Sequence, residues 1–281
     1  MTSDADTPGP TGREEIAEAS DLDAARIESA LVRAKVPWGR PLVVASLTAS
    51  TNDDAKRAAR DGAPEGAAFV ANAQSGGRGR LGRSWFSPPG ENLYVSYVLR
   101  PSFDPKRIPL ATLTAGLAVA DAIAPRVAAR RVGLKWPNDV YIDSRKVAGV
   151  LCEAQVIEGR PAWIVVGIGI NVRTRAFPPE LAERATSLAM AGAASLDRGD
   201  LFVDLNAALV RRMTMLSDAK VPELIAAFAA MDELAGQTIT VDGAPATALR
   251  IAEDGALVIR RADGREERCV AGDVQIAPAD H

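Results

Sequence analysis

The chain has almost no histidine. Its single copy, His281, is the last of 281 residues, which removes Ser-His-Asp and Cys-His nucleophile schemes and most zinc sites. Cysteine is nearly as scarce: Cys152 and Cys269 are the only two, and the first lies inside a hydrophobic run, so neither a disulfide framework nor a cysteine metal cluster is available. A reducing cytoplasm fits. Net positive charge is also missing. The 33 Lys and Arg against 36 Asp and Glu leave a formal charge of −3, which speaks against broad attraction to nucleic acid or an anionic membrane and makes any basic site local. No charge-free apolar run of about 18 residues occurs, and the N-terminus lacks a basic-then-apolar signal pattern, so the expected chain is neither secreted nor membrane-spanning. Chemistry then falls to Lys, Arg, Asp, Asn and the backbone.

What is present reads as a globular chain, 47% hydrophobic and 25% charged. Residues 1–20 combine Pro, Gly, Thr and acids with few large apolar groups and read as a mobile tail. A main body spans 21–234. Its pattern predicts a helix over 21–34, a strand in "PLVVASL", a capped helix over 50–62 and strands over 67–74 and 92–101. An Ala- and Leu-rich helix over 109–124, hairpin strands over about 132–172 and helices over 200–217 and 222–231 follow. From 235 to 281 short strands alternate with Asp-Gly turns, enough for a small β-barrel or SH3-like module. Strand, helix and meander in this order predict an α+β fold with a mixed or antiparallel sheet.

Four stretches carry candidate chemistry. In "QSGGRGRLGRSW" (74–85), glycines allow close backbone approach to a ligand, and Arg78, Arg80 and Arg83 offer forked donors to carboxylate or phosphate oxygens. The same loop is compatible with a solvated hairpin tip or an arginine-glycine nucleic-acid segment. "GLKWPNDVYID" (133–143) presents Lys135, Asn138 and Asp139 around a proline turn, with oxygens suited to magnesium or ribose; an ordinary Pro-Asn-Asp turn has the same pattern. In "RKVAGVLCE" (145–153), strict alternation puts Lys146 at the mouth of a strand with Ala148, Val150 and Cys152 behind it on one face. In "GIGINV" (167–172), alternation gathers Gly167, Gly169 and Asn171 on one face and Ile168, Ile170 and Val172 on the other, the mark of a close approach or of a bulge.

Together these stretches resemble the biotin protein ligases. "GRGRLGRSWFSP" (77–88), "KWPND" (135–139), "RKVAGVLCE", "GIGINV", "STND" (50–53) and Gln74 follow that family's motifs in order, from about residue 42 onward. The resemblance implies a catalytic domain of the class II aminoacyl-tRNA synthetase-like type with a C-terminal SH3-like barrel. It also implies a two-step reaction. Biotin and ATP give biotinyl-5'-AMP, and a lysine of a biotin carboxyl carrier protein then takes the biotinyl group.

By the same resemblance, Ser50, Thr51 and Gln74 bind the ureido end of biotin, with Asn52 and Tyr94 in the same pocket. Gly149, Gly167 and Gly169 leave room for its flat rings. Arg78, Gly79 and Arg80 close over carboxylate and phosphate, and Lys146, with Arg80, is catalytic. Arg83, Trp85, Lys135, Asn138, Asp139 and Asn171, together with Asn52, belong to the nucleotide side, with Asp139 toward Mg²⁺. The loop is expected to be mobile until phosphate offsets the repulsion among its arginines. Leu81 departs from the further arginine of many members. Fewer than 50 residues precede "STND", so a short, non-repressor form is expected, with no DNA partner and a monomer or weak homodimer. A lipoate ligase of the same superfamily and a biotin-sensing module without catalysis are the alternatives.

Overall fold

A computed structural model describes residues 21–276 apart from 102, 217–219 and 273. The expected tail over 1–20 and His281 lie outside the described residues. In chain order the elements are α1 (Ala24–Arg33), β1 (Leu42–Ala45), α2 (Thr51–Arg60), β2 (Ala68–Ala71), β3 (Leu93–Leu99), α3 (Ile108–Ile123), β4 (Val132–Lys135), β5 (Asp139–Ile142), β6 (Arg145–Ile157) and β7 (Arg160–Ile170). Then come α4 (Pro179–Ala182), α5 (Arg198–Met213), α6 (Val221–Ala229), β8 (Thr238–Val241), β9 (Ala244–Ile251), β10 (Leu257–Arg260), β11 (Glu266–Cys269) and β12 (Val274–Ile276).

The main sheet has seven strands in the order β1-β2-β3-β7-β6-β5-β4. It is mixed: β1 and β2 run parallel, and the remaining neighbours are antiparallel. Strands β4 to β7 form the expected meander.

Side-chain alternation divides this sheet into two functional faces. On one, Val95 and Tyr97 of β3, Ala148 and Val150 of β6, and Ile168 and Ile170 of β7 join the core beneath α3 and α5. Helix α3 lies within Pro105–Val127, long and apolar enough by composition to cross a membrane, yet Leu113, Leu117 and Val119 are buried in this core. On the other face, Trp163 and Val165 pack on Ala55 and Ala59 of α2, after which β7 continues as Gly167, Gly169 and Asn171. The bare stretch begins where α2 stops covering the sheet.

Lys146 breaks the expected alternation. A register shift where β5 meets β6 pairs Tyr141 with Lys146 but Val140 with Ala148, leaving Val147 as an extra residue. Val147 and Ala148 are both buried in the core, and Lys146 comes to the glycine face instead of sharing a face with Ala148, Val150 and Cys152. The start of α2 also departs from expectation. Ser50 stands at the cap position, but no cap hydrogen bond comes from its side chain. The polar residues after it turn toward the site.

The C-terminal sheet has five strands in the order β11-β10-β9-β8-β12. Among the described residues its end strands β11 and β12 are not paired with each other, so it is an open sheet here. It is tied to the main body by the Trp136 indole, which donates to the Gly255 carbonyl at 2.8 Å.

Candidate active site

A cavity of about 700 Å³ opens on the glycine face, and every site residue expected from the sequence lines it. At its buried end, over β3 and β7, Thr51 donates its backbone N–H to Gln74 Oε1 at 2.9 Å, with its hydroxyl 3.2 Å from the same atom. Ser96 Oγ lies 2.6 Å from Asn52 Oδ1 and 2.8 Å from Thr51 Oγ1. Two hydroxyl protons thus serve three oxygen contacts, which leaves this end rich in acceptors. Asn52 Nδ2 donates to Glu153 Oε2 at 2.8 Å and fixes the amide so that its oxygen faces Ser96. Asn52 therefore sits at the buried end, over Gly167, beside the residues assigned to the ureido end of biotin.

The glycine face is bare for a reason of contact distance. A Cβ on Gly167 would stand 1.9 Å from Asn52 Oδ1, and one on Gly169 would stand 2.5 Å from Trp85 Nε1. The Trp85 indole lies over Gly169 and reaches Gly149, where a Cβ would come 3.1 Å from its ring. Its N–H is buried with no hydrogen-bond partner among the described residues. Beside it, Tyr94 is buried and donates its hydroxyl to the Pro88 carbonyl at 3.0 Å; burial pushes its phenol well above the ordinary range.

Cations gather toward β6, β5 and β4. Lys146 Nζ lies 2.5 Å from Asp139 Oδ1 and 5.3 Å from the centre of the Trp85 ring. Its backbone N–H donates to the Arg184 carbonyl, and its carbonyl accepts from Thr186. Arg80 Nη1 reaches Asn138 Oδ1 at 3.4 Å, while Asn138 donates Nδ2 to the Val150 carbonyl at 2.9 Å. Lys135 Nζ lies 5.9 Å from the Tyr141 ring centre, and Asn171 holds the end of β7 by donating Nδ2 to the Thr186 carbonyl at 3.0 Å. Asp139 is engaged by Lys146, and no cluster of three or more His, Cys, Asp or Glu suited to a metal ion occurs among the described residues.

The Gly/Arg loop is a miniature hairpin. Trp85 N–H donates to the Gly77 carbonyl and Gly79 N–H to the Arg83 carbonyl, at 2.9 and 2.7 Å. At its tip Leu81 takes a left-handed conformation, φ 56°, and is largely exposed. Two of the loop arginines reach different partners, Arg80 toward Asn138 and Arg78 toward Asp53. Arg78 Nη2 binds Asp53 Oδ1 at 2.5 Å, and this hydrogen bond holds the Asp53 carboxyl at about 2. Asp53, Lys56, Ser96, Glu153 and Arg184 escaped the sequence reading as site residues. Ser96 had a signal, as the polar residue of a strand buried throughout. Lys56 had none.

Residues 44–171 match the sequence model of the Biotin/lipoate A/B protein ligase family. A biotin--[acetyl-CoA-carboxylase] ligase of Mycobacterium tuberculosis is 36% identical over 225 residues, 79% of this chain and 81% of that protein. The chain belongs to this family. The bifunctional ligase/repressor BirA of Bacillus subtilis is 39% identical over 162 residues, and there the chain spans half of the relative's length. Among solved structures, the biotin protein ligase from Aquifex aeolicus in complex with biotin and ATP is 28% identical with a TM-score of 0.70, over 84% of this chain and 98% of that one.

Proposed function

We propose that the chain is a biotin protein ligase, which activates biotin as biotinyl-5'-AMP and passes it to a lysine of a biotin carboxyl carrier protein. The observation that carries this reading is a cavity with an acceptor-rich buried end over β3 and β7, a middle where the flat Trp85 indole packs on the glycines, and a cationic end over β6 to β4. A ureido group brings two N–H donors to the first, flat fused rings suit the second, and a carboxylate meeting a polyphosphate needs the third.

In the first step a carboxylate oxygen of biotin attacks the α-phosphorus of ATP, and pyrophosphate leaves with the electrons of the broken P–O bond. Lys146, Arg80 and Arg78 oppose the charge that collects on the reacting oxygens, as preorganised donors do. Magnesium would arrive with ATP as part of the substrate and would offset phosphate charge, with Asp139, here paired with Lys146, as the carboxylate that would hold it. In the second step the carrier's uncharged lysine amine attacks the acyl carbon, AMP departs and the amine loses a proton. The free thiols of Cys152 and Cys269 suit the reducing cytoplasm in which this reaction belongs. Residues 235–281 form the C-terminal module in this reading, with an SH3-like closure of its sheet.

Incubation with biotin, Mg·ATP and a carrier tests the proposal. Carrier biotinylation that lipoate does not replace is expected. No biotinylation beside an active control ligase overturns it.

A further inference from the structure

The contacts around the cavity close into a ring. From the Gly/Arg loop, Arg78 binds Asp53 at 2.5 Å, Asp53 binds Lys56 at 3.0 Å, and Lys56 binds Glu153 at 2.7 Å. Glu153 accepts from Asn52 at 2.8 Å, and Asn52 meets Ser96 at 2.6 Å. Ser96 meets Thr51 at 2.8 Å, whose backbone N–H donates to Gln74 at 2.9 Å. Gln74 Nε2 donates to Ser87 Oγ at 3.1 Å, and Ser87 donates to the Trp85 carbonyl at 3.0 Å, back in the same loop. One half passes through the residues assigned to biotin. The other half is charged, and of its members only Arg78 has a part in the reaction as proposed.

That charged half is expensive for a purely structural device. Lys56 has only 18% of its side chain exposed and stands between two carboxylates, and partly buried ion pairs contribute little net stability against apolar packing. What they supply is position. Two cations and two carboxylates balance, Asp53 sits in the first turn of α2 where the helix dipole favours an anion, and each partner admits one placement of the next.

We infer that Asp53, Lys56 and Glu153 are positioning residues that couple occupation of the buried end of the cavity to the placement of the 76–85 loop. A ligand donor bound by Asn52 and Thr51 draws on the same oxygens that hold Ser96 and Gln74. The change then reaches the loop at both stems: through Ser87 at Trp85, and through Glu153, Lys56 and Asp53 at Arg78. The ligand part rests on the biotin reading; the positioning part does not.

The test is partial trypsin digestion of the full chain. Cleavage after Arg80 and Arg83 is measured relative to cleavage after Arg265, an exposed residue of the β10–β11 turn. K56Q and, as a second variant, E153Q are compared with wild type and with K56R, which keeps the charge. Without ligand, K56Q and E153Q are expected to raise the loop-to-Arg265 ratio at least fivefold, with K56R within twofold of wild type. With saturating biotin alone, wild type is expected to gain at least fivefold protection of the loop and K56Q less than twofold. An unchanged ratio without ligand in both variants overturns the positioning role, whatever biotin does. Equal protection of wild type and K56Q by biotin overturns the coupling. Calorimetry showing no biotin binding by wild type strikes instead at the proposed function, and the ligand-free ratio still decides the positioning role.

Discussion

Adding one methyl group at Gly169 tests whether the packing of Trp85 on β7 shapes the surface that the ligand meets. In Gly169→Ala the new Cβ would stand 2.5 Å from Trp85 Nε1, 2.6 Å from Cε2 and 2.9 Å from Cζ2. Ordinary contact needs about 3.5 Å, so the indole must retreat by about 1 Å. Overpacking costs about 1–3 kcal/mol, and the low end applies because Trp85 sits on a loop that can give. For a chain of this size about 1 kcal/mol lowers Tm by about 2–4 °C. Binding should suffer more than folding. Trp85 covers Gly169 and lines the cavity, so its retreat is passed on to the ligand, and a loss of about 1.4–2.7 kcal/mol corresponds to a tenfold to hundredfold weaker Kd. Ile170→Val is the control, since its side chain faces the core behind the same strand. It should cost about 0.5–1.5 kcal/mol of stability while leaving biotin affinity intact. Titration calorimetry with biotin and thermal melts read both quantities. A Gly169→Ala protein that binds biotin as tightly as wild type would refute the claim that Trp85, seated on Gly169, shapes the ligand site.

Lys146→Ala should lower adenylate formation at least a hundredfold, about 3–4 kcal/mol, in a pyrophosphate-release assay with folding little changed. Arg80→Gly should retain some adenylate synthesis but speed escape of the intermediate, measured by rapid dilution beside a blot for biotin on a bystander protein. Burial pushes the Cys152 thiol up to about 12, so this half-buried side chain should be alkylated more slowly at pH 8 in the folded than in the denatured protein, as followed with a thiol-directed reagent. The Asp53 carboxyl, at about 2 when folded against 3.8 ordinarily, contributes stability that is present above about pH 4 and lost as pH falls through 2. The Tm difference between wild type and Asp53→Asn should therefore shrink as pH falls from 5 to 2, and it should be modest throughout because the ion pair is partly exposed.

The parts of the site that the sequence displayed are those whose chemistry is written in contiguous residues. Gly167, Gly169 and Asn171 fall on one face because a regular strand alternates, and β7 is regular there. "KWPND" and the Gly/Arg loop are compact turns whose residues meet because they are neighbours. The positioning ring was not legible, since its decisive contacts join residues 97 and 101 positions apart on α2 and β6. A Lys three places after an Asp on a helix has an ordinary local explanation, and nothing local points to Glu153.

The misreading of Lys146 has a different cause, and it says what the site demands of β6. Strict alternation would send the lysine to the α3 side with Ala148 and Val150, where a charge has no partner. The extra residue at Val147 turns the strand by one position, so that two successive apolar residues, Val147 and Ala148, stay in the core. Lys146 is thereby delivered to Asp139 and Trp85 on the opposite face. The neighbouring backbone holds it there, because Lys146 N–H and C=O are paired with Arg184 and Thr186 rather than with β7. A bulge is invisible to a period-two reading, yet it lets one strand keep a continuous apolar core and still present its lysine to the cavity. Deleting Val147 should restore regular pairing with Lys146 directly before Ala148 and opposite Tyr141, so that plain alternation now keeps the lysine on the Asp139 face, at the cost of one buried side chain. Adenylate formation should then fall far less than in Lys146→Ala, and a deletion protein that folds but loses activity as fully as Lys146→Ala would show that alternation from Ala148 is not what aims the lysine.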